Sequence, residues 1–140
     1  MFGVTVKPIV SNAKNAGDAL RYILHQKVIK YNFVLVSGDV VSNMNLLPVL
    51  NEHKQRREAN KNCLVTMVLK QSDPRNSSRS MQDDVVAAID NKTKELLYFD
   101  KNFTSDQVEI DVEKLKGHDQ VRIRYDLLDC RIDVCSPDVR

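Results

Sequence analysis

Residues 33–36, Phe-Val-Leu-Val, are four apolar positions in a row, the pattern of a strand buried on both faces and typical of a parallel sheet. Ser37-Gly38-Asp39 ends that run. Ahead of it, residues 4–10 are strand-like, with Pro8 holding the end to an edge or a bend. Ala16, Ala19, Leu20, Ile23 and Leu24 then fall at helical spacing behind the capping residue Asn15. A second helix is expected from near Asn45 to about Asn60, with Pro48 tolerated in its first turn. Its second half, residues 52–58, is mostly charged and reads as a solvated face, with a basic docking surface as the other option.

Residues 63–69 form another apolar run of strand length. Strand, helix and strand in this order predict a βαβ unit with a parallel crossover. Residues 72–83 are a polar loop rich in turn formers, in which Arg79 among serines allows a kinase site. Residues 85–89 and 95–99 flank Asp90-Asn91-Lys92-Thr93-Lys94, the pattern of a hairpin. Val121, Ile123 and Tyr125 alternate with Arg122 and Arg124, which predicts a strand with one wet face. Asp126 and Asp129 bracket Leu127-Leu128 and read as a turn between strands in preference to a catalytic pair. Residues 131–135 are again strand-like, and Ser136-Pro137 opens a helix. The expected architecture is a mixed α/β sheet, parallel early and antiparallel later.

Composition narrows the picture modestly. The length of 140 residues is that of one domain, and a net charge of +2 argues for neither nucleic acid nor a membrane surface. No 18-residue apolar run and no apolar segment behind Met1 is present, so neither a membrane helix nor a secretory leader is expected. Cys63, Cys130 and Cys135 lack a Cys-x-x-Cys pair and read as thiols of a reducing compartment, which makes a cytosolic protein the expectation. Without a leader, the sequons at Asn76, Asn91 and Asn102 are chance. His25, His53 and His118 have no zinc-ligand spacing, and no phosphate-binding glycine loop or Gly-x-Ser-x-Gly elbow occurs, so no cofactor or metal is expected. The one chemically suggestive edge is Gly38-Asp39. A carboxylate at the end of a parallel strand either holds a divalent cation beside phosphates or simply ends the strand at a turn, and both readings stand.

Several segments together carry a resemblance. SGDVVSN at 37–43, the Leu-x-x-x-Leu helix with Glu52-His53, the hairpin ending in Tyr98-Phe99-Asp100-Lys101, and VRIRYDLLDCRIDVCSPDV at 121–139 resemble the epsilon-subunit family of eukaryotic translation initiation factor 2B. The similarity is collinear from about Val4 to Val139. It implies a partial nucleotidyltransferase-like domain over residues 1–140. The implied fold is α/β, with a mixed, mainly parallel sheet of the nucleotide-diphospho-sugar transferase (Rossmann-like) type, incomplete at both ends. Against the enzymes of that fold, Asp39 matches the metal-binding aspartate and Gly17-Asp18-Ala19 the helix start that faces the base. Lys101 matches the lysine that meets sugar phosphate, and Leu127-Leu128-Asp129 stands where a sugar-binding turn is expected. Gly17, Asp39 and Lys101 are therefore vestigial candidates, with no catalytic or metal site expected. The resemblance further implies a regulatory and scaffolding part of the guanine-nucleotide exchange factor for initiation factor 2. Its expected partners are the other subunits of initiation factor 2B and initiation factor 2 itself, with no membrane or direct nucleic acid. Exchange would be catalysed by a C-terminal domain beyond residue 140. The alternative is a sugar-nucleotide pyrophosphorylase piece.

Overall fold

A computed structural model describes residues 3–73, 75, 84–101 and 107–139. The described elements run α1 (Ala16–His25), β1 (Phe33–Val36), α2 (Leu47–Ala59), β2 (Val65–Gln71), β3 (Val85–Asp90), β4 (Leu96–Lys101), a 3₁₀ turn (Val112–Leu115) and β5 (Val121–Cys135). Residues 3–13 form no helix or strand, so the first expected strand is not there. Arg79 and the sequons at Asn76 and Asn102 lie outside the described residues.

The strands bond in the order β1-β5-β3-β4, with β2 also paired to β5. β3 is antiparallel to both β4 and β5. The amide of Ser72 donates to Asp126 and that of Ser136 to Leu64, each at 2.8 Å, so numbers rise along β2's chain as they fall along β5's. That progression is antiparallel. The mainly parallel, Rossmann-like sheet expected from the sequence is thus wrong: the protein forms a small antiparallel sheet of five strands with two helices. The error has a definite source. β1 and β2 each pair with β5 and not with each other, so α2 does not join two hydrogen-bonded parallel neighbours. A continuous apolar run reports burial at most, and here not even that, since Leu35 and Val36 are exposed. Asp126 and Asp129, expected at a turn, lie inside the 15-residue strand β5. Residues 136–139 form a turn where a helix start was expected.

The chain divides into two compact units, Met1–Thr66 with Asp133–Arg140, and Met67–Ile132. In the first, α1 begins as its sequence demands: the Asn15 side chain accepts from the Asp18 amide at 2.9 Å. It ends with Lys27 in the left-handed region (φ 53), where the amide donates to the Leu24 carbonyl at 2.9 Å. Helix α2 carries Pro48 in its first turn, as expected. Its inward face is Leu46, Val49, Leu50, His53, Arg56 and Arg57, the i, i+3, i+4 spacing of one helix stripe. The charged half is therefore not simply a solvated face. Three of its polar residues continue the apolar stripe, and His53 is the one buried residue of the helix.

In the second unit, β3 and β4 form the expected hairpin. The Lys94 amide donates to the Asp90 carbonyl (3.0 Å) and the Asp90 amide to Glu95 (2.9 Å). Val85, Ala87 and Leu127 form a buried cluster packed by Leu69, Ile89, Leu96 and Phe99. Two bulges set that face. Ala88 opposes Tyr98 but Ile89 opposes Leu96, which leaves Leu97 as the extra residue and puts Leu96 and Phe99 on one side. Val85 opposes Leu127 but Ala87 opposes Arg124, so an extra residue sits at Tyr125-Asp126. An extra residue reverses which face each later side chain takes. Ile123 and Tyr125 consequently point to solvent, and Arg122 and Arg124 lie on the cluster's face. The wet face predicted from the alternation is the opposite one.

Candidate functional site

Gly17 and Asp39, the two candidates of the first unit, do not meet. Gly17 lies in the first turn of α1. A Cβ there would meet Asn15 Oδ1 at 3.3 Å and Arg21 Nη1 at 3.9 Å, and no atom of Asp39 is within 4 Å. Asp39 is exposed in the turn after β1, where the Val40 amide donates to the Ser37 carbonyl at 3.2 Å. Among the described residues nothing lies within 4 Å of where a Gly38 Cβ would stand, so none of them makes a close approach there. Among the described residues, no group of three or more His, Cys, Asp or Glu could hold a metal ion.

Lys101 belongs to the other unit, and there the structure does bring two flagged positions together. Its ammonium forms an ion pair with the Asp129 carboxylate and stands 5.8 Å from the Phe99 ring centroid. Register explains the meeting: Lys101 and Leu127 both oppose Val85 across β3, and Asp129 follows Leu127 on the same face of β5. Asp129 is the more buried partner, 11% exposed against 36% for the lysine. Its other oxygen accepts from the Arg131 amide at 2.8 Å, and Arg131 itself has φ 54. One carboxylate thus fixes a left-handed residue inside β5 and neutralises Lys101. The position that would greet a phosphate already holds an anion.

Two further polar clusters escaped the sequence reading. Asp126 accepts a bidentate guanidinium from Arg124 (2.5 and 2.7 Å) and the Gln71 amide (3.0 Å). Those bonds, Arg124's first, hold its carboxyl below the ordinary range. Asp90, 5% exposed, accepts from the amides of Thr93 and Lys92 at 2.7 Å each, and its second oxygen lies 2.7 Å from His118 Nδ1. The Thr93 amide foremost, then His118, hold its carboxyl well below the usual carboxylate range. Its role is to close the hairpin and tie residue 118 to it. An Asp followed by Asn-Lys-Thr is the sequence mark of such a turn. The signal for His53 was its place three and four residues beyond Leu50 and Val49.

Cys63 and Cys130 are partly buried, and Cys135 is buried with its thiol pushed up to about 11 by burial. No described helix is long and apolar enough to cross a membrane.

No family model matches the chain. Two curated relatives do. The chain is 45% identical over 129 residues to "Translation initiation factor eIF2B subunit epsilon" of Dictyostelium discoideum, a match covering 92% of this chain and 18% of the relative. It is 41% identical over 137 residues to the protein of the same name from Schizosaccharomyces pombe, covering 96% of this chain and 20% of the relative. The chain spans about a fifth of the length of these relatives. At 41–45% identity over 92–96% of its length, the chain corresponds to a fragment of the epsilon subunit of translation initiation factor eIF2B.

Proposed function

We propose that this chain supplies a non-catalytic, scaffolding and regulatory part of the guanine-nucleotide exchange factor for initiation factor 2. It works in the cytosol through contacts with the other subunits of initiation factor 2B and with initiation factor 2, and exchange is catalysed by a part of the subunit outside these residues. The relatives' names support the translation role. The observation that carries the non-catalytic reading is the Lys101–Asp129 pair. A transferring phosphoryl group needs cations free to meet its charge together with a metal site. Lys101 instead spends its charge on Asp129, and Gly17 and Asp39 do not converge. Nothing in the site favours the pyrophosphorylase alternative.

Purified initiation factor 2 loaded with labelled GDP tests the assignment. With this chain the only addition, release is expected at the spontaneous rate, and faster release would place exchange catalysis here. Calorimetric titration with a magnesium–nucleoside triphosphate, and separately with a sugar phosphate, is expected to give no saturable heat. Saturable binding lost in Lys101→Met or Asp39→Asn would move the chain to the enzyme reading.

A further inference from the structure

We propose that the seat of α2 in its unit is a proton-gated lock, closed while His53 is neutral and opened when the ring takes up a proton. His53 is fully buried, and it is the deepest residue of a helix whose other members are all partly or wholly exposed. Its Nδ1 lies 2.8 Å from Thr66 Oγ1 on β2. Its Nε2 is buried and has no hydrogen-bond partner among the described residues. A leucine or phenylalanine at this point of the stripe would seat the helix without stranding a polar atom. A histidine there makes the seat conditional.

The condition is set by what faces the ring. A neutral imidazole satisfies one nitrogen through Thr66 and leaves the other bare. A charged imidazolium must donate from both nitrogens, and Nε2 would then present a buried, unanswered N–H. From α2 itself come Arg57 and Arg56, both positive. Their counter-ions are already engaged, Glu52 with Arg56 at 2.5 Å and Asp138 of the last turn with Arg57 at 2.8 Å. β2 offers only the neutral Thr66 hydroxyl. At the end of β5 the Cys135 thiol is held protonated, and the Asp133 carboxylate is not among the groups that shift the ring. Burial first, then Arg57 and Arg56, keep the ring's proton affinity below that of an ordinary imidazole. The sign follows: a group whose folded affinity is depressed stabilises the fold fully above its unfolded value, near 6.5, and loses that contribution as pH falls below it. α2 therefore loosens on the acid side.

Hydrogen exchange of the α2 amides in residues 1–140, followed by NMR between about pH 7.5 and 5 beside the His53 ring resonances, tests the lock. Protection of α2 is expected to fall by up to about tenfold per pH unit below roughly 6.5, the limit for one linked proton. His53→Gln keeps a polar partner for Thr66 and cannot titrate in this range, so α2 protection should become flat with pH. If that variant does not fold, the wild type decides alone. A His53 ring that titrates at the ordinary value, or α2 protection flat across the range in the wild type, overturns the proposal. So does an unchanged pH profile in His53→Gln.

Discussion

β1 and β3 have nearly the same kind of sequence, Phe-Val-Leu-Val and Val-Val-Ala-Ala, and opposite fates. β1 stands at one end of the strand order and leaves Leu35 and Val36 exposed. β3 has antiparallel neighbours on both sides and buries Val85, Val86, Ala87 and Ala88 at 8% exposure or less. Bulk hydrophobicity would have ranked them the other way, because β1 carries the larger side chains. What separates them is pairing. β3 is joined to β4 by a tight five-residue turn, which costs little closure entropy, and β5 flanks it with six to seven residues of ladder. Its alanines let both faces be covered closely. An apolar run thus specifies a strand, and its neighbours decide how deeply that strand is buried.

Truncation in each region is the strongest way to break this comparison. Leu127→Ala removes a cluster member that opposes Val85, and urea unfolding should show a loss of about 2–5 kcal/mol. Val36→Ala, at a position 47% exposed, should stay within about 0.5 kcal/mol. Equal losses would mean that β1 is as buried as its sequence suggests. Overpacking is the next test. Ala87→Leu inserts bulk where no exposure remains and should cost about 1–3 kcal/mol. A neutral outcome would show slack in the most buried strand of the second unit.

The elements that the sequence disclosed are those written in local chemistry. Asn15 caps α1, Pro48 sits where first-turn amides lack partners, and Asp90-Asn91-Lys92-Thr93-Lys94 makes its hairpin. What stayed hidden is non-local or depends on a single inserted residue. Nothing near Phe33 says that its partner lies a hundred residues on in β5. Nothing at Tyr125-Asp126 marks the bulge that turns Ile123 outward and Arg124 inward. The site fared likewise: Lys101 was legible by resemblance, but its neutralisation by Asp129 needs the register of three strands. His53 was visible in a charged run, and its burial was not.

The hairpin end of β3 also predicts where acid acts on the second unit. Asp90 accepts from two amides and meets His118, and its pKa is lowered below the unfolded value near 4. Its contribution is complete above that value and declines as pH falls through it. Thermal melts of the wild type should therefore drop steeply below about pH 4. Asp90→Asn should start lower at neutral pH and lose less on acidification. Parallel slopes for the two proteins would remove Asp90 from the acid response.

The smallest effect expected is a gain. Lys94 closes the hairpin in the left-handed region (φ 61), and Lys27 does the same after α1 (φ 53). A side chain there crowds its own carbonyl, at a cost of about 1–2 kcal/mol that glycine does not bear. Glycine gives back part of this through the greater freedom of the unfolded chain. The net expectation is a stabilisation of about 0.5–1 kcal/mol for either Lys94→Gly or Lys27→Gly. Neither change removes a backbone bond, because the Lys94 amide still reaches Asp90 and the Lys27 amide still reaches Leu24. Lys94→Gly does delete one side-chain contact, the ammonium donating to the Asn91 carbonyl at 2.7 Å, an exposed bond of small net value. Amide exchange gives each gain an address: slower in β3 and β4 for Lys94→Gly, slower in α1 for Lys27→Gly. If Lys94→Gly instead speeds exchange in the hairpin, the Lys94 ammonium contributes more to that turn than its backbone strain costs.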